Sequence, residues 1–460
     1  MTASGEVSLP PTSDTIAAIA TAPGTGAVGI VRVSGPQAHA VADAVFRPAA
    51  GGRALDAPTG RVLFGQVVAL GDVVDDALLL SFRRPASYTG QDAVEIQTHG
   101  GPAVLRRVLE LCLESGARAA GPGEFTLRAY LNGKLDLAQA ESVLDLVNAS
   151  SEAARRNAAG GLTGELSRRI GEVQSAVTAA YAEVQAGFDY PEEGVPEARL
   201  SEPLERALAG IDDLLATAEA GRLSREGARL ALLGRPNVGK SSLLNALLGY
   251  QRSLVSEVPG TTRDYLEAPL VLGGVPLTLV DTAGIRVTSD ALEASGVDLT
   301  RAVSDASDLR VLLLDRSQPL EDEDLALLRT FVEPSGGSES VVVASKADLP
   351  PAWEAGALEE GLVAIAVSSV TGEGLDALRS ALTDRLIGSA AGAELWVGNE
   401  RHVQALRRAR RSVEAARGAS DELAALDLQD ALGHLATITG REGVAEETLA
   451  SIFARFCVGK

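Results

Sequence analysis

The chain has 460 residues, two to four times the usual domain size, so about three domains are expected. Its 46% apolar and 22% charged residues exclude an intrinsically disordered chain, and two cysteines, Cys112 and Cys457, are too few for a disulfide framework or a Cys-rich zinc site. The 41 Lys and Arg against 62 Asp and Glu give a net charge of -21, which disfavours a protein held on nucleic acid by bulk charge while leaving room for a local basic patch.

In chain order, Met1 to Asp14 is polar and rich in Pro, Ser and Thr, without a basic-then-apolar signal. No apolar run approaches the roughly 18 residues of a membrane span, so the chain is expected to be cytoplasmic with no membrane partner. From Ile16 to about Phe125 short β-like runs alternate with Gly- and Pro-containing turns: Ile16–Ala20, Val28–Val33, Val62–Val68, Ala77–Phe82 and Ala93–Gln97. One helical stretch, Pro102–Ser115, sits among them, which predicts an α+β domain. From about Leu135 to Ala220 the texture becomes long helices. Leu166, Ile170, Val173, Val177, Tyr181, Val184 and Phe188 form one apolar stripe. Leu423, Leu426, Leu432, Leu435 and Ile438 repeat that texture near the C-terminus.

Between the helical stretches, largely apolar runs at Leu230–Leu233, Leu277–Val280, Val311–Leu314, Val341–Ala344 and Val363–Val367 alternate with helical segments. That pattern predicts a parallel sheet covered on both faces, inserted into a helical domain.

The run Leu230–Leu233 leads into Gly234-Arg235-Pro236-Asn237-Val238-Gly239-Lys240-Ser241 and then the helical Ser242–Leu248. This is G-x-x-x-x-G-K-S in its required strand–loop–helix context. Glycines let backbone N–H groups converge on phosphate oxygens, and the helix N-terminus adds partial positive charge. Lys240 is assigned to the β- and γ-phosphates and Ser241 to Mg²⁺. Asp281-Thr282-Ala283-Gly284 follows another strand, where a carboxylate can hold Mg²⁺ and a glycine N–H can sense the γ-phosphate. Ser345-Lys346-Ala347-Asp348 follows a third. There Asp348 can accept from the guanine N1–H and amine, a donor pair that adenine lacks, which selects GTP over ATP. Ser368-Ser369, followed by Val370, can offer a backbone N–H to the guanine O6. Together these segments resemble the Ras-like GTPase superfamily. Ser345 replaces the commoner Asn of its motif, so a weaker grip with unchanged specificity is expected. Ile285 stands where Ras-like enzymes often carry a water-orienting Gln, so another group must serve. Asp290 and Glu293 lie just downstream, where exposed helix acids are also common.

Gly260-Thr261-Thr262-Arg263-Asp264, with Asn237 inside the phosphate loop, resembles a narrower group, the bacterial tRNA-modification GTPase family MnmE (also called TrmE). The resemblance continues through Asp14-Thr15-Ile16, Val28–Gly35, Tyr88-Thr89-Gly90-Gln91-Asp92, His99-Gly100-Gly101-Pro102, Pro122-Gly123-Glu124-Phe125 and Leu131–Glu141. It extends to the C-x-G-K terminus Cys457–Lys460. The fold it implies is multidomain α/β plus α+β plus all-α. An N-terminal α+β folate-binding and dimerisation domain spans 1–130. A helical bundle domain is split between 131–224 and 391–460. A Ras-like P-loop G domain, 225–390, is inserted in it.

The activity implied is GTP hydrolysis that supports addition of an aminomethyl or carboxymethylaminomethyl group to C5 of the wobble uridine of tRNA. The implied partners are a second copy of the chain, tRNA, and the FAD- and NADH-dependent protein MnmG (GidA). The resemblance places K⁺ on Asn237, Thr261 and the carbonyls of Ser256 and Val258. It places Mg²⁺ on Ser241 and Thr262, and it makes Glu293 the acid that positions water, beside Lys240. The nucleotide would be surrounded by Asn237–Ser242, by Ser256, Glu257, Val258, Pro259, Gly260, Thr261 and Thr262, and by the segments at 281–284, 345–348 and 368–370. Arg32, Glu95, Lys134 and Lys460 would hold a tetrahydrofolate derivative (the 5-formyl or 5,10-methylene form), with Cys457 a candidate functional thiol.

Other signals are weaker. Gly24-Thr25-Gly26-Ala27-Val28-Gly29 spells a dinucleotide fingerprint but runs into the β-type Ile30–Val33 instead of a helix, which excludes a Rossmann reading. His39, His99, His402 and His434 lack metal-type spacing. Arg401, Arg407, Arg408, Arg410 and Arg411 form a basic cluster on a predicted helix, either a solvated face or a contact for RNA phosphates. A ribosome-assembly GTPase switch that binds rRNA is the alternative function, and a P-loop ATPase is a further rival.

Overall fold

The computed structural model describes residues 9–189, 197–255, 270–280, 307–332, 339–354, 358, 363–390, 393, 395–440 and 444–460. In chain order its elements are β1 (Ile16–Ile19), β2 (Gly26–Ser34), α1 (Ala38–Val45), β3 (Phe46–Pro48), β4 (Val62–Ala69), β5 (Asp72–Phe82), β6 (Ala93–Gly100), α2 (Pro102–Glu114), β7 (Arg118–Ala119), α3 (Glu124–Leu131) and α4 (Leu137–Asn148). Then come α5 (Glu152–Leu162), α6 (Glu165–Asp189), α7 (Glu197–Leu215), α8 (Ala218–Glu226), β8 (Ala228–Leu233), α9 (Lys240–Val255), β9 (Leu270–Leu272), β10 (Val275–Val280) and β11 (Leu309–Asp315). The last are α10 (Asp322–Val332), β12 (Glu339–Ser345), β13 (Ala364–Ala366), α11 (Leu375–Ile387), α12 (Glu400–Ala416), α13 (Asp421–Thr439) and α14 (Glu446–Phe453). Among the described residues, no helix is long and apolar enough to cross a membrane.

The chain forms two compact units. The first joins residues 1–144, 161–170 and 432–460. Its seven-stranded sheet has the order β3-β4-β5-β6-β2-β1-β7, antiparallel except where β7 runs parallel to β1. Strand alternation decides what each face carries. On β6, Val94 and Ile96 enter the core with Val31 and Val33 of β2, packed against α1 and α2. Glu95 and Arg32 therefore project from the opposite face, as directly opposed partners. A second core in this unit gathers Leu127, Leu137, Ala140 and Val143 with Leu449, Phe453 and Phe456.

The second unit comprises residues 145–160 and 171–431. Its six-stranded sheet has the order β13-β12-β11-β8-β10-β9. The central expected runs lie on strands buried on both faces: Leu230, Val311 and Val343 point into one core, and Ala231, Leu312 and Val342 into the other. The run at Val363–Val367 is shorter than expected, β13 covering Ala364–Ala366 with Val363 exposed.

Three expectations need correction, and a fourth holds. Ala38–Val45 is a helix, because Ala38, Val41, Ala42 and Val45 bury one side at helical spacing in a run too short to stand out. The inserted sheet is not wholly parallel, since β9 pairs antiparallel with β10 through the tight Gly273-Gly274 turn. Leu423 and Leu426 are exposed, because α13 buries Ala424, Leu428, Ala431, Leu435 and Ile438, a 4-3-4-3 stripe on its other side. Gly26 and Val28–Ser34 lie in β2, so the dinucleotide-like glycines begin a strand, as the excluded fingerprint required.

Candidate functional site

In the second unit, β8 delivers the chain into the 234–239 loop and α9 carries it away. Gly234 has φ +135°, and a Cβ there would lie 2.5 Å from the Leu313 carbonyl oxygen of β11, so only glycine lets the loop turn this close to the sheet. Val238 is buried and anchors the loop, while Asn237, at φ +64°, stands exposed. The Leu243 N–H donates to Gly239 O at 2.8 Å as α9 begins, leaving the earlier N–H groups of the helix turned towards the loop. Lys240 Nζ donates to Gly234 O at 2.5 Å and Arg235 O at 2.9 Å. Burial draws its pKa down. A cation bridging the loop's own carbonyls, above a helix N-terminus, fits the polyphosphate of a nucleotide, and Ser241 in the first turn is placed to meet an associated Mg²⁺.

The segment at 345–348 is tied to that loop. The buried Ser345 hydroxyl lies 2.7 Å from Val238 O and 3.2 Å from Leu314 O, and it donates to these backbone oxygens. The expected hydrogen-bonding capacity is there, but it is spent on the phosphate loop. Lys346, at φ +58°, donates from Nζ to Asp315 Oδ2 at 2.6 Å. Burial would raise the Asp315 carboxyl, yet hydrogen bonds from Lys346 and Ser317 outweigh it and hold the pKa below the usual value.

Asp348 remains exposed, with the Ser368 hydroxyl donating to its Oδ1 at 2.6 Å. Ser368 Oγ in turn accepts the N–H groups of Val370 and Thr371. Ala347 N–H donates to Val367 O at 3.1 Å, which, with the Ser368–Asp348 bond, holds the 345–348 and 368–370 segments side by side. Ser368 N–H is already given to Glu373 O, which leaves Ser369 of that pair for a base carbonyl. Val370 is 85% exposed.

The sequence reading missed Arg235, whose guanidinium pairs with Glu321 and, at 3.0 Å, with Asp324. Asp324 is almost fully buried in the first turn of α10, so this pair ties the phosphate loop to that helix. Ser256, Glu257, Val258, Pro259, Gly260, Thr261, Thr262, Asp281, Thr282, Ala283, Gly284 and Glu293 lie outside the described residues.

The first unit carries a separate cluster. Arg32 Nε and Nη2 each lie 2.9 Å from Glu95 Oε1, and Nη1 donates to Gly459 O at 3.3 Å. The guanidinium stands 5.8 Å from the Tyr88 ring centre and 5.7 Å from that of Phe125. A cavity of ≈ 90 Å³ is lined by Arg32, Phe82, Tyr88, Thr89, Ala93 and Glu95. That is room for several waters, hence for part of a planar ring, and the aromatic walls, carboxylate and guanidinium suit a pterin's faces and edge donors.

The C-terminal residues belong to this cluster through their main chain. Phe125 N–H donates to Lys460 O at 3.2 Å, and Val458 bridges to Pro122. At Gly459, φ +98°, a Cβ would fall 2.4 Å from Ile19 O. Lys134 does not line the cavity; it is exposed and donates to Pro85 O at 3.3 Å, on the loop that carries Tyr88. Cys457 is exposed.

Beneath the cluster is a buried ionic group that sequence reading did not single out. Arg128, fully buried, donates to Asp14 Oδ1 at 2.5 Å and Glu124 Oε1 at 2.9 Å, and Arg118 Nη2 reaches Glu124 Oε1 at 2.7 Å. Charges of this kind persist inside a protein only when paired, so this set fixes α3 and the segment before β1.

Comparison with known proteins bears on the family. A family model described as "MnmE helical domain" matches residues 137–457, and one described as "GTP-binding protein TrmE N-terminus" matches residues 15–134. A Thermus thermophilus protein named "tRNA modification GTPase MnmE" is 50% identical over 97% of this chain and 99% of its own length. One of the same name from Chloroflexus aurantiacus is 44% identical over 97% of this chain and all of its own. Among solved structures, the G domain of the T. maritima FeoB iron transporter is 26% identical over 34% of this chain and 98% of its own, with a TM-score of 0.25, too low to say anything of the fold. With relatives this similar along nearly its whole length, the chain belongs to the MnmE family.

Proposed function

We propose that this chain is a GTP hydrolase of tRNA modification. With an FAD- and NADH-dependent partner of the MnmG kind, it supports addition of a (carboxymethyl)aminomethyl group to C5 of the wobble uridine, drawing on a tetrahydrofolate one-carbon donor. The observation that carries the nucleotide half is the Ser345 hydrogen bond to Val238 O together with the Ser368 bond to Asp348. These couple a carboxylate suited to guanine with a phosphate-binding loop.

In this reading Lys240 exchanges the Gly234 and Arg235 carbonyls for phosphate oxygens, and Glu293 positions the attacking water. Ser241 and Thr262 would hold Mg²⁺. Asn237 and Thr261, with the carbonyls of Ser256 and Val258, would hold K⁺. These cations supply charge compensation around the β- and γ-phosphates where no arginine is provided. Dimerisation of the G domains would complete the site and exclude water. Arg32 and Glu95 would hold the folate ring, with Lys134 and Lys460 at its periphery. The domains are assigned as 1–130, 131–224, 225–390 and 391–460, the second and fourth forming one helical domain.

Nucleoside analysis of tRNA from cells lacking the protein tests the tRNA half: wobble uridines should lose their C5 substituent, and an unchanged profile would overturn it. Turnover in KCl and NaCl at equal ionic strength tests the cation; equal rates would remove K⁺ from Asn237.

A further inference from the structure

α12 divides cleanly. His402, Val403, Leu406, Ala409, Val413 and Ala416 are buried, while Arg407, Arg408 and Arg411 are exposed on the other side. Two neighbouring arginines are matched by acids of α7: Arg410 Nε donates to Asp212 Oδ1 at 2.6 Å, and Arg417 Nη2 to Glu205 Oε1 at 3.4 Å. Among the described residues, no carboxylate pairs with Arg407, Arg408 or Arg411; Glu414, one turn on, makes no ion pair with them.

Three uncompensated guanidinium groups thus lie within about 6 Å of helix axis. Like charges at i and i+4 work against a helix. In a chain of net charge -21 acids were plentiful, yet none is interleaved here. The face therefore carries a repulsion that a partner rich in anions would relieve. Guanidinium forks match phosphate oxygens two at a time. The chain has only 3% aromatic residues, so contact without base stacking is what such a face can offer.

We infer that the Arg407–Arg408–Arg411 face of α12 binds the ribose-phosphate backbone of tRNA. This deepens the reading above and rests on it. The contact sets position and affinity and reads no sequence.

The test is tRNA binding by the full chain across KCl concentrations, for wild type and for Arg407→Gln/Arg408→Gln/Arg411→Gln. The triple variant should bind at least tenfold more weakly near ~0.1 M salt, and its log–log salt slope should be shallower by about three. The corresponding triple Lys variant should keep the slope. Arg410→Gln, whose charge Asp212 already offsets, should leave it unchanged. The triple Gln variant should also retain wild-type melting and tRNA-free GTP turnover. Wild-type affinity and slope in the triple Gln variant would overturn this inference alone. A triple variant that lost the flavin partner but kept its salt slope would make the face a protein contact instead, and overturn it equally. Absence of tRNA binding by wild type at every salt concentration would remove the tRNA reading itself.

Discussion

Replacing Ser345 with alanine deletes one hydroxyl and tests whether the base-reading segment is mechanically joined to the phosphate loop. The hydroxyl has a single proton, and Val238 O at 2.7 Å has a stronger claim on it than Leu314 O at 3.2 Å. A neutral hydrogen bond contributes about 0.5–1.5 kcal/mol net, and leaving its buried acceptor unsatisfied costs about 1–3 kcal/mol. Leu314 lies within the β11–β12 pairing, so the loss falls mainly on Val238. We expect Ser345→Ala to cost about 1–2 kcal/mol, read as a drop of roughly 3–6 °C in the melting transition that GDP protects. Because the two halves of the nucleotide would then be held by loops no longer linked, GDP should also dissociate faster by stopped-flow fluorescence. Ser345→Asn, whose amide can still donate to Val238 O, should recover most of both effects. Wild-type melting and wild-type GDP release in the alanine variant would refute the coupling.

Asp348→Asn replaces an acceptor by a donor; GTP affinity should fall by on the order of 10²–10⁴-fold, with xanthosine triphosphate taking over as the preferred ligand, and retained GTP preference would show that Asp348 does not read the base. Cys112 is buried and its thiol is pushed up to about 12, whereas Cys457 is exposed. A colorimetric thiol reagent at pH 8 should therefore modify one equivalent quickly in the native protein and two after denaturation; two fast equivalents would contradict the packing around Cys112.

For Glu124, burial works to raise the carboxyl, but hydrogen bonds from Arg118, the Gly121 N–H and Arg128 leave it below the ordinary value of a glutamate carboxyl. A folded-state pKa below the unfolded one gives stability that is present above about pH 4.5 and lost as pH falls through the folded value. Denaturant titrations of wild type from pH 6 to 3 should show that loss, and Glu124→Gln should flatten it; parallel curves would place the acid sensitivity elsewhere.

The phosphate loop was legible in the sequence because its chemistry is local: Gly234, Lys240 and Ser241 follow one another between a strand and a helix. The inserted strands were legible for a related reason, since a strand buried on both faces is mostly apolar, as in Val311–Leu314. What escaped notice depended on distant pairing. Nothing near Arg235 announces Asp324, nor does anything near Arg32 announce Gly459, because only the fold brings them together. Leu423 and Leu426 misled because a helix rich in leucine offers several plausible stripes, and alanines at 424 and 431 settled which one packs. Ser345 was seen as a departure from pattern, but its preference for a loop carbonyl depended on how closely β12 ends beside Val238.

The first unit is assembled from both extremities of the chain, with Leu127 and Leu137 packing against Leu449, Phe453 and Phe456. During synthesis at about 5–20 residues per second, roughly 290 residues separate its opening portion from its closing one, a wait of about 15–60 s. Throughout that interval the nascent sheet must hold with the apolar side of α3 uncovered. A ribosome stalled late in translation would thus leave behind an adhesive intermediate, open to chaperones and proteases, rather than a finished first unit.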